Sequence, residues 1–281
     1  MMNSVEIYSK ILSGEINTVK FSCEYTTNEQ LRKFHNWIKM SMLFKSKKET
    51  LGDTLLDIGT GRGGDLMKWC KARIKYVTAF DPDKKALYEK HEFDGAIKRY
   101  STMKSVPNMP KVFFWNVSAT DPDLLNIINS KDCNKIYDII SCHFTFHYLI
   151  KDIDKVLHFI SSKLKKGGQF IGTASDGDLI KLNGNISNDI ININKIDENS
   201  YNYVMFSEKT EHSTCSYFDY KGLSEEYYTH KDYLVEICKK YDLVCKNICN
   251  FHEWKNSYRE EMSEQEMISS FLNFSFVFVK V

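Results

Sequence analysis

The 281-residue chain has no excess of charge of either sign: 38 Lys and Arg stand against 37 Asp and Glu, a net of +1 with neutral His. A positive coat for tracking a nucleic-acid backbone is excluded, so any nucleic-acid contact must be local. None of the eight cysteines forms a CxxC pair. That argues against a zinc ribbon or a thioredoxin-type redox site and leaves reduced, mostly buried thiols as the reading. No basic-plus-apolar leader opens the chain, and charges interrupt every apolar run short of membrane-spanning length, so neither signal peptide nor membrane helix is expected and a cytoplasmic location is. Only four prolines occur, with no repeat and no Pro-, Gly- or Ser-rich linker, which favours one continuous domain over residues 1–281.

What is present is an alternation of strand and helix patterns. Residues 1–50 read as helical, and Leu31 to Lys48 holds six basic residues (Arg32, Lys33, Lys39, Lys45, Lys47, Lys48) and no acidic one. A solvated helix face with Phe34, Trp37, Ile38 and Leu43 turned inward would give the same pattern. TLLDIG (54–59), TGRGG (60–64), DLMKWCKA (65–72) and YVTAFD (76–81) then make a βαβ unit. Further strands are predicted at 111–117, 137–144 and 168–174, with helices near 83–93, 121–130 and 152–165. This implies a mostly parallel sheet covered on both faces. An Asn-heavy stretch at about 181–203 reads as an exposed insertion. A helix over 228–241 and a last strand in LNFSFVFVKV (272–281) close the pattern.

Gly59-x-Gly61-x-x-Gly64 follows a strand and opens a helix, and Asp81 ends the next strand, where a carboxylate accepts both hydroxyls of a ribose. An adenosine-type cofactor is expected. Asp57, two residues before the first glycine, would repel a pyrophosphate at short range but tolerates a cation. S-adenosylmethionine, with a sulfonium, an ammonium and no phosphate, fits that acid better than NAD does.

In order, RKFHNWIK (32–39), LLDIGTGRGGDLMKW (55–69), CHFTFHY (142–148) and EEYY (225–228) resemble the motifs of the mRNA cap guanine-N7 methyltransferases. The resemblance runs from about residue 30 to the C-terminus. It implies a class I S-adenosylmethionine-dependent methyltransferase fold of the α/β, Rossmann-like type, with a seven-stranded mostly parallel sheet and an antiparallel last strand. It further implies transfer of a methyl group to N7 of the 5′ cap guanine. By position it puts Lys39, Gly59, Asp81, His143 and Tyr148 on the cofactor, Lys39 near its carboxylate. On the cap it puts His35 and Asn36, the phosphate-facing Arg62 and Lys68, and His147, Tyr148 and Glu226 around the guanine. Where the family often has an Asp toward the adenine, this chain has Val117, so Asn116, Val117 and Ser118 are expected to contact the base through backbone and hydroxyl. His143 replaces a usual Gln, His35 a usual Asn, and Asn273 stands near a usual cap-stacking Tyr.

Guanine N7 already carries a lone pair and loses no proton on methylation, so no catalytic acid or base is expected and alignment falls to His147, Tyr148 and Glu226. An acid such as Glu226 accepts from guanine N1–H and the 2-amino group, donors that adenine lacks. His143-x3-His147 imitates a zinc pair, but that spacing shares a face only in a helix and there is no HExxH glutamate, so no metal is expected. His35, His143 and His147 are candidates for pH-dependent binding near neutrality. The expected partner is 5′-capped RNA, with no membrane. Triphosphatase and guanylyltransferase domains in the same longer polypeptide, and a viral protein in the host cytoplasm, are compatible with the resemblance. The rival readings are a methyltransferase of the same fold acting on a small molecule or protein, and a non-catalytic methyltransferase-like capping subunit.

Overall fold

The computed structural model describes residues 2–19, 28–91, 94–124, 127, 136–206 and 224–281. The chain forms two compact units. One comprises Lys39–Thr173, Val235–Asn247 and Phe276–Val281, the other Met1–Ile38, Ala174–Leu234 and Ile248–Ser275.

The strands of the main sheet are β1 (Thr54–Ile58), β2 (Tyr76–Phe80), β3 (Lys111–Trp115), β4 (Tyr137–His143), β5 (Leu164–Ser175), β10 (Leu243–Asn250) and β11 (Asn273–Lys280). Their order is β10-β11-β5-β4-β1-β2-β3. The pairs β1–β2, β1–β4, β2–β3 and β4–β5 are parallel, and the last strands run antiparallel. This is the α/β sheet expected from the alternating pattern. Every residue of β4 is buried, as a strand covered on both faces requires, and its centre is accordingly apolar at Ile139, Ile140 and Cys142. The order reverses between β1 and β4, and the loops leaving the carboxyl ends of these two strands form the crevice where such sheets bind ligands.

In the first unit, Phe146, Phe170 and Phe276 pack with ring centroids 5.0 to 6.1 Å apart. Gly172 on β5 makes room for that cluster: a Cβ there would collide with the Phe276 ring and the Cys142 carbonyl oxygen.

Several boundaries differ from the sequence reading for local reasons. The helix after β2 is only Lys84–Tyr88, capped by the Asp83 side chain on the Lys85 and Ala86 amides, and the chain re-enters a helix at Ala96–Thr102. Half of the helix expected at 121–130 lies outside the described residues, as does 20–27 of the N-terminal segment. That segment otherwise holds helices Ser4–Leu12 and Glu29–Thr50, and Phe34, Ile38 and Leu43 are buried as expected. Helices Phe251–Lys255 and Glu264–Phe271 are opened by the capping boxes Asn250/Glu253 and Ser263/Glu266.

The Asn-rich stretch is the main correction. It forms strands β6 (Ile186–Ser187), β7 (Ile191–Lys195) and β8 (Ser200–Met205), which with β9 (Ser224–Tyr227) make a four-stranded sheet in the second unit. Ile186, Ile190, Ile191 and Ile193 are buried. The asparagines serve the backbone: Asn188 Oδ1 accepts from the Ile190 and Ile191 amides at 2.8 and 2.9 Å, and Asn185 Oδ1 from the Lys195 amide at 2.9 Å. An isoleucine period of two underlies the polar composition.

Gly172→Ala should destabilise the chain by about 2 kcal/mol through overpacking, read as a lower urea midpoint at unchanged m-value. An unchanged midpoint would show that the Phe276 ring moves aside freely.

Candidate functional site

The site builds from the turn after β1. Gly59, Gly61 and Gly63 have φ of 76°, 52° and 73°, a left-handed backbone that side chains strongly disfavour. Gly64, the third glycine of the formal fingerprint, does not share it; Gly63, which the pattern passes over, does. The Gly59 and Thr60 amides donate to the Phe80 carbonyl at 2.9 and 3.2 Å, tying the turn to the end of β2. A Cβ on Gly59 would strike the Thr145 side chain, whereas one on Gly61 would meet nothing within 4 Å.

Asp81 ends β2 and is buried. It accepts from the Gly61 amide at 2.8 Å and from the Asp83 amide at 2.8 Å, one on each oxygen. Asn116 is exposed, and its amide nitrogen donates to the Asp81 and Pro82 carbonyls, each at 2.9 Å. Val117 is buried, and the Ser118 hydroxyl lies 2.9 Å from that of Thr120.

Beneath the turn lies a buried charge cluster that no local motif announces. The ammonium groups of Lys39 and Lys68 ion-pair Asp65 at 2.8 and 2.7 Å, with all three side chains nearly inaccessible. Burial alone would raise the Asp65 pKa, but the two cations, Lys39 foremost, hold its carboxyl well below the usual carboxylate range. Lys68 has its own pKa lowered by burial, against the pull of Asp65, and also donates to the Gly64 carbonyl at 3.0 Å. Asp57, which accepts from Ser141 at 2.6 Å, is pushed up to about 7 by burial and by the charge of Asp65.

His143 ends β4 with Nδ1 3.4 Å from the Thr173 hydroxyl. Burial, with the Lys39 and Lys68 charges, lowers its pKa to about 3 despite Asp65. It is therefore neutral near pH 7, which removes it as a pH-sensitive group. Phe144 follows at φ 53°, its amide held by the Thr173 carbonyl at 2.9 Å, and a 3-10 turn then carries Phe146, His147 and Tyr148. His147 is buried and Tyr148 is 41% exposed, with the rings edge-to-face at 4.3 Å.

Lys39, Asp57, Gly59, Asp81, Asn116, Val117, Ser118, His143 and Tyr148 thus all belong to the first unit. Of the cap candidates, Arg62, Lys68, His147 and Tyr148 belong there too, and His35, Asn36, Glu226 and Asn273 to the second unit. The ammonium of Lys68, expected to face phosphate, is here directed onto Asp65. In the second unit, His35 Nε2 lies 2.9 Å from the Ser270 hydroxyl and its ring meets Phe251 edge-on at 5.0 Å. Asn36 is exposed. Asn273 directs its amide nitrogen to the Ser269 and Ser270 carbonyls, both at 3.0 Å. Glu226 is 1% exposed on β9 and accepts from Tyr201 Oη at 2.8 Å and Ser175 Oγ at 3.4 Å.

Among the described residues no group of three or more His, Cys, Asp or Glu side chains is arranged to hold a metal ion. No helix among them is long and apolar enough to cross a membrane.

Residues 17–274 match the mRNA (guanine-N(7))-methyltransferase domain. The chain belongs to this family. A probable mRNA-capping enzyme of Acanthamoeba polyphaga mimivirus is 34% identical over 175 residues, covering 55% of this chain and 15% of that protein. An mRNA cap guanine-N(7) methyltransferase of Caenorhabditis briggsae is 28% identical over 240 residues, covering 79% of this chain and 60% of the relative. The chain thus spans less than two thirds of either relative. A solved S-adenosylmethionine-dependent methyltransferase from Clostridium acetobutylicum superposes with a TM-score of 0.53 at 17% identity, covering 99% of both chains. The fold is that of the class I S-adenosylmethionine-dependent methyltransferases, and the glycine turn fits the family's cofactor: open space at the Gly61 Cβ position and an acid at Asp81 suit an adenosyl group.

Sequence reasoning missed Asp65, Ser141 and Thr145. Asp65 lay inside the quoted segment LLDIGTGRGGDLMKW (55–69), but its pairing with Lys39 is visible only in three dimensions.

In the folded chain Asp57 keeps its proton up to about pH 7, whereas the unfolded chain releases it near pH 4, so stability falls as pH rises between these values. Thermal unfolding of the ligand-free protein at pH 5 and pH 8 should show this loss in the wild type and a smaller loss in Asp57→Asn. Equal pH dependence of the two would contradict the assignment.

Proposed function

We propose that the chain is an mRNA (guanine-N7-)methyltransferase that transfers the methyl group of S-adenosylmethionine to the cap guanine, and that residues 1–281 act as one methyltransferase domain. The observation that carries the reading is the family match over residues 17–274, which takes in the glycine turn, Asp81 and Glu226 together.

S-adenosylmethionine supplies an electrophilic methyl group when bound. This chain's residues bind and orient. Asp81 accepts the ribose hydroxyls while holding the Gly61 amide, and Gly59 and Gly61 let the backbone approach without side chains. Lys39 balances the cofactor carboxylate, and Asp57, whose ionisation a nearby cation would favour, faces its positive charge. Asn116, Val117 and Ser118 flank the adenine, beside His143 and Tyr148. Glu226 accepts guanine N1–H and the 2-amino group, His147 and Tyr148 align the base, and Arg62 and Lys68 offset the triphosphate charge. His35, Asn36 and Asn273 complete the cap contacts. No residue removes a proton, because N7 attacks with a lone pair it already has.

Within the family we assign the chain to the kind of methyltransferase domain carried by the mRNA-capping enzyme of African swine fever virus, a large cytoplasmic DNA virus. The motif resemblance supports this, and the likeness to a mimivirus capping enzyme is in keeping with it. The reading includes capped RNA as partner, triphosphatase and guanylyltransferase activities in a longer polypeptide, and action in the host cytoplasm.

With labelled S-adenosylmethionine and short RNA, capped RNA should yield N7-methylguanosine and uncapped RNA no product. Transfer independent of the cap would overturn the reading, and cofactor binding without transfer would favour a non-catalytic capping subunit. Glu226→Ala should abolish cap methylation with cofactor affinity within about twofold of wild type, and Asp81→Ala should weaken the cofactor first.

A further inference from the structure

Glu226 does not stand alone on β9. It is the direct cross-strand partner of Tyr201 on β8, at the separation where opposed side chains interact. Tyr201 is fully buried and Glu226 almost so. The phenol donates to Oε2 of the carboxylate at 2.8 Å, and the Ser175 hydroxyl approaches the same oxygen at 3.4 Å. The Tyr201 ring is seated against Tyr228, centroids 4.9 Å apart at 40°, and the Lys181 ammonium lies over the Tyr228 ring at 4.8 Å. Burial, and after it the Glu226 charge, raise the Tyr201 phenol well above its usual range, so it remains a donor throughout the working pH range.

A buried carboxylate is costly unless hydrogen bonds replace its water, and bonds to an ionised acceptor are the strong ones. Two donors meeting on one oxygen also fix the rotation of the carboxylate plane. Guanine offers its N1–H and 2-amino donors side by side in one plane, so recognition depends on that rotation.

We propose that Tyr201, seconded by Ser175, is a positioning residue that sets the plane of the Glu226 carboxylate for the paired donors of the guanine edge. The inference rests on the reading of Glu226 as the guanine acid. A purely structural Tyr201 would weaken the fold or the binding of every cap equally. A positioning Tyr201 acts on the guanine edge and only through Glu226.

The test compares binding and methylation of a guanosine-capped dinucleotide with its inosine-capped analogue, which lacks the 2-amino group. Tyr201→Phe should weaken guanosine-cap binding about tenfold and the inosine cap distinctly less, with kcat changed less than KM. In a Glu226→Ala background the same change should have no further effect on binding. Equal losses for both caps, or a full loss in the Glu226→Ala background, would overturn the proposal while leaving the role of Glu226 intact. A wild-type chain that does not prefer guanosine to inosine would overturn the reading of Glu226, and this inference with it. Should Tyr201→Phe fail to fold, Ser175→Ala reads the same geometry with an expected guanosine-specific loss of about threefold; no loss there would count against it.

Discussion

The buried carboxylate of Asp65 is the interaction on which the glycine-turn site depends. It draws the ammonium groups of Lys39 and Lys68 out of water, and neither cation is tolerable at that depth without it, since removing one member of a buried ion pair strands the other's charge. The same carboxylate opposes ionisation of Asp57, while the two cations help keep His143 neutral. One group therefore pairs two cations and opposes the charge of Asp57, while His143 stays neutral against its pull. The Lys39–Asp65–Lys68 cluster is thus formed within the fold itself, the kind of arrangement that electrostatic preorganisation requires.

Backbone conformation shapes the same place. Three left-handed glycines thread the chain past Thr145 and leave open space beside Gly61, and Phe144, in the left-handed region without being glycine, is held there by its bond to Thr173. The glycines adopt this conformation freely, whereas Phe144 is held in it at the carboxyl end of β4, beside the point where the strand order reverses.

The parts of the fold legible in the sequence are those written locally. The strand, glycine turn and helix at 54–71, the acid at 81 and the apolar run of β4 each carry their signal within a few residues. The β6–β9 sheet was hidden because asparagine composition outweighed the isoleucine alternation at 191 and 193. The Lys39–Asp65–Lys68 cluster joins a helix in the first fifty residues to the turn after β1, and no local pattern encodes that pairing. Lys68 shows the limit: its place beside the glycine turn is legible in the sequence, its ion pair with Asp65 is not. The Tyr201–Glu226 pair depends on strand register, which composition does not supply, and the closing of helix Glu264–Phe271 by the Asn273 amide depends likewise on the fold.

On the proposed reading, N7 attacks with a lone pair and loses no proton, which calls for a site that works by placement. Such a site depends on its charges being set in advance. Site-resolved carboxyl NMR titration of the ligand-free protein tests this most directly. Asp57 should titrate at about 7, and Asp65 should show no step in the ordinary carboxylate range near 4. An Asp65 that titrates near 4, or an Asp57 that titrates with it there, would contradict the account.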